Sequence, residues 1–203
     1  NFYRTDGFES RVGEPTDAWE TRLRTRALHP SDQAFSQPHW QLGSHTYDNL
    51  DHNHLVCTWS KDGEKHLGTI QLDNGLLEEW PLGWWPVGNV AADAGRVVFL
   101  GDSAIEPDSI VEVRDREPVL VRPSSEMEVA PGYISQAANI TWKNQDGTTG
   151  HGLLYLPRSE DFEAPDGERP PLLVSVNPMP TMAAHPGMDF SAQFWTSRGF
   201  AVL

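Results

Sequence analysis

The sequence predicts a mixed fold: a partial all-β propeller of about two blades plus an incomplete one, followed by the first strands of an α/β domain. Three observations carry this. Strand-sized runs separated by Asp-Gly and Asn-Gly turns recur with a period of roughly 42 residues. The pattern breaks between Arg122 and Ala138, in a stretch that holds Pro123, Ser124, Ser125, Pro131 and Gly132. Beyond it, a fully apolar run leads through a loop to a short helix pattern and a second apolar run. The divisions are therefore residues 1–122 for C-terminal blades, 123–138 for the junction and 139–203 for the truncated opening of the α/β domain.

Each element has a local reason. Residues 54–59 are strand-like and close on Lys61-Asp62-Gly63; residues 66–72 follow, then Asp73-Asn74-Gly75, then residues 76–80. Asn-Gly and Asp-Gly are strong hairpin signals because the favoured turn needs positive φ at its central positions. The order returns in residues 88–92, a turn at 93–95, and strands at 96–100, 109–113 and 118–121. A propeller needs about four to eight such units, so two read as part of one. Upstream, residues 3–8 read as a hairpin around Asp6-Gly7, residues 21–28 as an exposed strand, and residues 35–40 as the lead into the first complete blade.

After the junction, residues 140–143 and 149–156 flank Asn144-Gln145-Asp146-Gly147 and predict a hairpin. Pro171-Leu172-Leu173-Val174-Ser175-Val176 reads as a strand in a sheet covered on both faces. Residues 190–198 predict a helix capped by Asp189 and stopped by Gly199, and residues 200–203 begin another strand. Strand, loop, helix, strand is a parallel βαβ unit. Two strands cannot make a covered sheet, so more chain is expected after Leu203, and the start at Asn1 leaves the true N-terminus open.

Composition narrows the classes. The chain has 203 residues, 38% of them apolar, and a mean hydropathy of -0.50, which suits a soluble protein with a core. Sixteen Pro and 17 Gly favour short strands and turns over long helices. A formal charge of -14 argues against nucleic acid and anionic membranes as partners. Cys57 is the single cysteine, which excludes an internal disulfide and a zinc–thiolate site. It reads as a buried small hydrophobe, in keeping with a cytoplasmic location. No run is long enough to span a membrane, and no signal peptide is visible.

Five groups of residues invite chemistry. Asn177-Pro178-Met179-Pro180-Thr181 lies between the apolar strand and the helix, where an α/β-hydrolase places a backbone N–H for its oxyanion hole. A Pro-stiffened crossover is the plainer local reading. The Gly-x-Ser-x-Gly nucleophile turn is missing. Gly101-Asp102-Ser103-Ala104-Ile105 lacks its second Gly and lies in a blade, so Ser103 reads as a turn residue, and no His takes a triad role. Asp51-His52-Asn53-His54, with His45 nearby, lacks a third firm metal ligand, and no metal is expected. Trp84-Trp85 could stack on a sugar or peptide but reads as packing between blades. Glu78-Glu79 could meet a substrate amine but reads as a solvated strand end.

Several strings together resemble the prolyl oligopeptidase family of serine peptidases, in its acylaminoacyl-peptidase and dipeptidyl-aminopeptidase-like branch. They are Ile140-Thr141-Trp142, Asp146-Gly147, His151-Gly152-Leu153-Leu154-Tyr155-Leu156-Pro157, Pro170-Pro171-Leu172-Leu173-Val174 and Gln193-Phe194-Trp195-Thr196-Ser197-Arg198-Gly199-Phe200-Ala201-Val202. Upstream, Pro38-His39-Trp40 with Tyr47 is similar to the opening of a late blade in that branch. The resemblance spans most of residues 29–203. It implies a propeller that restricts access to a Ser-Asp-His α/β-hydrolase acting on short peptides, often releasing N-terminal residues, without a cofactor. It also implies that the triad lies beyond this chain, which alone would be inactive. The family's His-Gly-Gly-Pro is replaced by Asn177-Pro178-Met179-Pro180, with Thr181 kept. Its second Gly falls on Met179, the candidate oxyanion-hole N–H, whereas Pro178 has none. The alternatives are a non-catalytic propeller-derived interaction module or pseudo-peptidase, and a sugar-binding domain using Trp84 and Trp85.

Overall fold

The structure, a computed structural model, describes residues 2–6, 24–38, 40–176 and 183–203. The candidate loop at 177–181, Met179 included, lies outside the described residues. Near the start, β1 (Tyr3–Asp6) pairs antiparallel with β2 (Arg24–Ala27), Tyr3 opposite Ala27 and Asp6 opposite Arg24. This corrects the expected tight hairpin around Asp6-Gly7: the strand runs on through Asp6 to a distant partner. Aromatic burial helps place it, because the Phe2 ring meets Phe35 and Tyr47 edge-on, each at 5.2 Å.

Two four-stranded antiparallel meanders follow. The first is β3 (Tyr47–Asn49), β4 (His54–Lys61), β5 (Glu64–Gln71) and β6 (Leu77–Glu79); the second is β7 (Trp85–Asp93), β8 (Arg96–Asp102), β9 (Ser109–Arg114) and β10 (Glu117–Pro123). Three of their turns are two-residue loops with positive φ at both positions: Asp62-Gly63 (52° and 85°), Ala94-Gly95 (48° and 81°) and Asp115-Arg116 (51° and 67°). That geometry matches the twist of the flanking strands. Asn74-Gly75 sits instead in a longer connection, where a Cβ on Gly75 would stand 1.9 Å from the Leu28 carbonyl oxygen.

Alternation along β4 and β5 divides their side chains between two faces. Val56 and Leu67 join Trp80 and, from the second sheet, Val90, Val97, Phe99, Val111 and Val113, with Trp84 packed against them. Cys57, Trp59 and Ile70 turn the other way onto Phe35, Phe2 and Leu28. Each such side chain, once buried, contributes roughly 1.5–3 kcal/mol, so this inter-sheet cluster is the main stabilising layer. Burial pushes the Cys57 thiol up to about 12, which leaves it unreactive. The far face of the second sheet is open: the cross-strand pair Leu100 and Ile110 is 40% and 43% exposed.

Past a 3-10 turn at Pro131–Tyr133, β11 (Ala138–Lys143) and β12 (Thr149–Leu154) form the expected hairpin. Then β13 (Leu172–Leu173) pairs in parallel with β14 (Ala201–Val202), with α1 (Phe190–Thr196) between them in sequence. Tyr155 and Val202 exchange backbone hydrogen bonds at 2.8 and 2.9 Å. The strands therefore lie side by side as β11-β12-β14-β13. Asp189 caps α1 by accepting the Ser191 and Ala192 N–H groups, and Gly199 ends it at φ +87°. The apolar strand expected over 171–176 is shorter, and it is uncovered: Val174 and Val176 are 63% and 81% exposed. A single partner strand satisfies one edge, and no second layer of described residues lies over them. No helix among the described residues is long and apolar enough to cross a membrane.

One buried clamp ties the junction to α1. Gln193 accepts the Ser135 N–H through Oε1 at 2.7 Å and donates from Nε2 to the Ser135 carbonyl at 2.9 Å. Truncating it leaves two backbone groups buried and unpaired. Gln193→Ala is therefore expected to lower unfolding stability by roughly 2–4 kcal/mol in chemical denaturation, whereas a change below about 0.5 kcal/mol, the range of surface substitutions, would contradict the clamp.

Candidate functional site

The loop that leaves β8 at Asp102 and enters β9 at Ser109 is where the second sheet meets the segment leading into α1. Ser103 shapes the loop: its Oγ accepts the N–H groups of Ile105 (3.2 Å) and Glu106 (2.9 Å). It is a buried turn residue whose hydroxyl is committed locally. Its carbonyl accepts the Met188 N–H at 2.9 Å. From the other side, the Tyr155 hydroxyl donates to the Gly187 carbonyl at 3.3 Å, and the Gly187 N–H donates to His185 Nδ1 at 3.3 Å. Residues 185–189 are thus held from β8, from the end of β12 and by the α1 cap.

Asp102 lies at the centre. Its side chain is 3% exposed, with Oδ2 3.4 Å from His185 Nδ1, and Oδ1 has no hydrogen-bond partner among the described residues. Gly187 is required by this approach, since a Cβ there would stand 1.7 Å from Asp102 Oδ2. Burial first, and the nearby Asp108 charge second, push the Asp102 carboxyl up to about 7, with Lys65 pulling the other way. Burial and then the Lys65 charge lower His185, against Asp108 and Asp189. Because His185 Nδ1 accepts from Gly187, the hydrogen-bond pattern assigns the neutral ring's proton to Nε2. An acid that resists ionising thus faces an imidazole that resists charging.

His185 also stands between two cavities. One, of about 600 Å³, is walled by Lys65, Gln41, His45, Asn89, Ala183 and His185 among others. The second, of about 970 Å³, is walled by Asp102, Asp108, Trp142, Tyr155, Val176 and Met188 among others.

The remaining sequence candidates fall elsewhere. His54 Nδ1 lies 2.9 Å from the Asp51 carboxylate while the His52 side chain is 96% exposed. Among the described residues no three His, Cys, Asp or Glu come together as a metal site. Glu79 takes His66 Nδ1 at 2.8 Å. Glu78 pairs with Arg116 at 3.1 Å, and that guanidinium lies 4.6 Å from the centre of the Trp80 ring. The reading of both as a solvated strand end holds, with the Glu78 and Glu79 side chains 59% and 52% exposed, and each carboxylate also engages a neighbouring side chain. Trp85 is half-buried at the start of β7. The Asp102–His185 contact was missed in the sequence, because no spacing joins residues so far apart. The available signal was an acid closing the apolar run Val97-Val98-Phe99-Leu100-Gly101-Asp102.

A carboxyl whose folded pKa is raised keeps its proton longer in the folded protein than in the unfolded one. Asp102 therefore makes stability fall as pH rises from its ordinary value of 3.8 to about 7. His185, shifted down, acts in the opposite sense, its contribution being lost as pH falls below 6.5. Asp102→Asn is expected to raise stability at about pH 8 by roughly 2–4 kcal/mol and to leave it nearly unchanged at about pH 4. Thermal denaturation across that range measures it; parallel curves for parent and variant would contradict the buried, raised carboxyl.

No family model and no curated protein sequence matches the chain. Solved structures do. A puromycin-hydrolysing peptidase of Mycobacterium tuberculosis superposes with a TM-score of 0.79 at 26% identity, over 88% of this chain and 28% of that one. A puromycin hydrolase in complex with PGG gives 0.80 at 24% identity, over 88% and 27%. An acylaminoacyl peptidase of Pyrococcus horikoshii gives 0.53 at 19%, over 78% and 24%. The chain thus spans 24–28% of the length of these structures. These neighbours are peptidases of the prolyl oligopeptidase family, and that is the family whose motifs the sequence resembles.

Proposed function

We propose that the chain is a portion of a propeller-gated serine peptidase that hydrolyses short peptides or releases N-terminal residues, working without a cofactor in the cytoplasm. Residues 1–122 supply C-terminal blades, residues 123–138 the junction, and residues 139–203 the opening of the α/β-hydrolase domain; the triad is not in this chain. The observation that carries the reading is the superposition on the M. tuberculosis peptidase over 88% of the chain. The first meander is buried on both faces, as a blade between neighbours must be. Leu172, Val174 and Val176 leave an exposed apolar strip of the kind a covered parallel sheet buries.

The chain's contribution in this reading is positional. In α/β-hydrolases the loop between the third strand and the first helix donates an oxyanion-hole N–H. Here that loop runs from β13 to α1, and its second half is bound by Ser103, Tyr155 and the Asp189 cap. Donors fixed in advance stabilise developing charge without reorganising at the moment of reaction. Met179 is the proposed donor, on sequence grounds. The replacement of His-Gly-Gly-Pro by Asn177-Pro178-Met179-Pro180 favours a second reading, an interaction module or pseudo-peptidase.

A serine-directed fluorophosphonate separates the two. The 203-residue chain is expected to give no labelling. The same chain continued by a segment with Gly-x-Ser-x-Gly, Asp and His is expected to be labelled and to hydrolyse aminoacyl anilides. There Met179→Pro, which removes the N–H, should lower kcat about 10²–10³-fold. Labelling of the chain alone would overturn the placing of the triad outside it, and no labelling in the presence of a triad would overturn the peptidase proposal.

A further inference from the structure

The cavity of about 600 Å³ has an unusual wall. In a chain of formal charge -14, no Asp or Glu of the described residues lines it. Among the described residues its one fixed cation is Lys65, which stands in β5 opposite Ser60 at the rim of the first meander. The Lys65 stem is half-buried. Its ammonium makes one long hydrogen bond, to the Val87 carbonyl at 3.4 Å, and no carboxylate of the described residues comes within ion-pair distance. An ammonium carries three donors, so two are unspent. A cation withdrawn from water without a partner anion is costly, and Asp102 and Asp108 act on it only from a distance.

The opposite wall is a prepared set of donors. Asn89, at the edge of the second meander, holds the facing loop: its Oδ1 accepts the His45 N–H at 3.0 Å and its Nδ2 donates to the Gly43 carbonyl at 3.1 Å. With the backbone held, Gln37, Gln41 and Ser44 line the cavity, and their side chains hydrogen-bond to none of the described residues. His185 closes the far side. Its Nδ1 is taken by Gly187, which leaves Nε2–H as its donor.

We propose that this cavity is a carboxylate-binding site, with Lys65 as the charged anchor, that receives the C-terminal carboxylate of a short peptide. In naming a peptide it rests on the peptidase reading. The volume fits a few residues, and the arrangement of one ammonium with amide and hydroxyl donors is what a carboxylate's two oxygens require. Lys65 is then a specificity residue that favours peptides with a free C-terminus of matching length.

Calorimetric titration of the 203-residue chain tests this with three probes: the tripeptide Ala-Ala-Phe as free acid, its C-terminal amide, and an end-blocked peptide whose only carboxylate is an Asp side chain. The free acid is expected to bind at least ten-fold more tightly than the amide, with Lys65→Arg keeping that preference and Lys65→Met, which retains the apolar stem, abolishing it. Gln41→Ala, which leaves Lys65 in place, should weaken the acid several-fold. Equal binding of acid and amide, binding of neither, or an unchanged preference in Lys65→Met would overturn the site. Binding of the Asp peptide in preference to the free acid would overturn the C-terminal assignment. Equilibrium binding needs no hydrolysis, so a failed titration leaves the peptidase reading standing, and a failed labelling leaves the titration standing.

Discussion

The architecture turns on one short contact, the Met188 N–H bonded to the Ser103 carbonyl beside the buried Asp102. A crossover from β13 to β14 must leave the sheet, pass through α1 and return in parallel register. Its helix is only seven residues long, too short to fix its own position by propensity. The direction of the crossover is set instead by what the residues just before the helix touch. They touch the loop after β8, so the second meander positions the α/β segment, and the meander is itself positioned by the apolar cluster it shares with the first.

This arrangement carries a cost that ordinary packing would avoid. A carboxyl with an unpartnered buried oxygen, a neighbouring acid and a glycine pressed against it is unfavourable for stability. Surface ion pairs such as Glu78–Arg116 return little. The stability that tolerates Asp102 comes from the buried faces of β4, β5, β8 and β9 and from the reciprocal Gln193–Ser135 clamp. Departures from local consistency concentrate where a structure serves something other than its own folding. Asp102, His185 and Lys65 form such a concentration, with His185 in the segment that precedes the helix, beside Asp102 and lining one cavity with Lys65.

Much of the fold was legible because its causes are local. Asp62-Gly63 announces a two-residue turn, Asp189 announces a helix start, and alternation places Val56 and Cys57 on opposite faces. The repeat from His54 to Arg96 survives because strand length and turn type recur together. What could not be read depends on partners distant in sequence. Tyr3–Asp6 pairs with a strand its own turn residues do not foretell. Gln193 looks like a helix-surface amide until Ser135 lies beneath it. Glu78 and Glu79 are solvated as they look, but their partners Arg116 and His66 come from elsewhere in the chain. The site was the least legible part, since Asp102, Lys65 and His185 belong to three elements and share no motif.

The central claim is that the loop after β8 holds the segment before α1, and amide hydrogen exchange at Met188 tests it most directly. The predicted result is protection of the Met188 amide comparable to that of core amides such as Val111, lost in Gly187→Ala while Val111 stays protected. Exchange of Met188 at the rate of an open loop in the unaltered protein would contradict it.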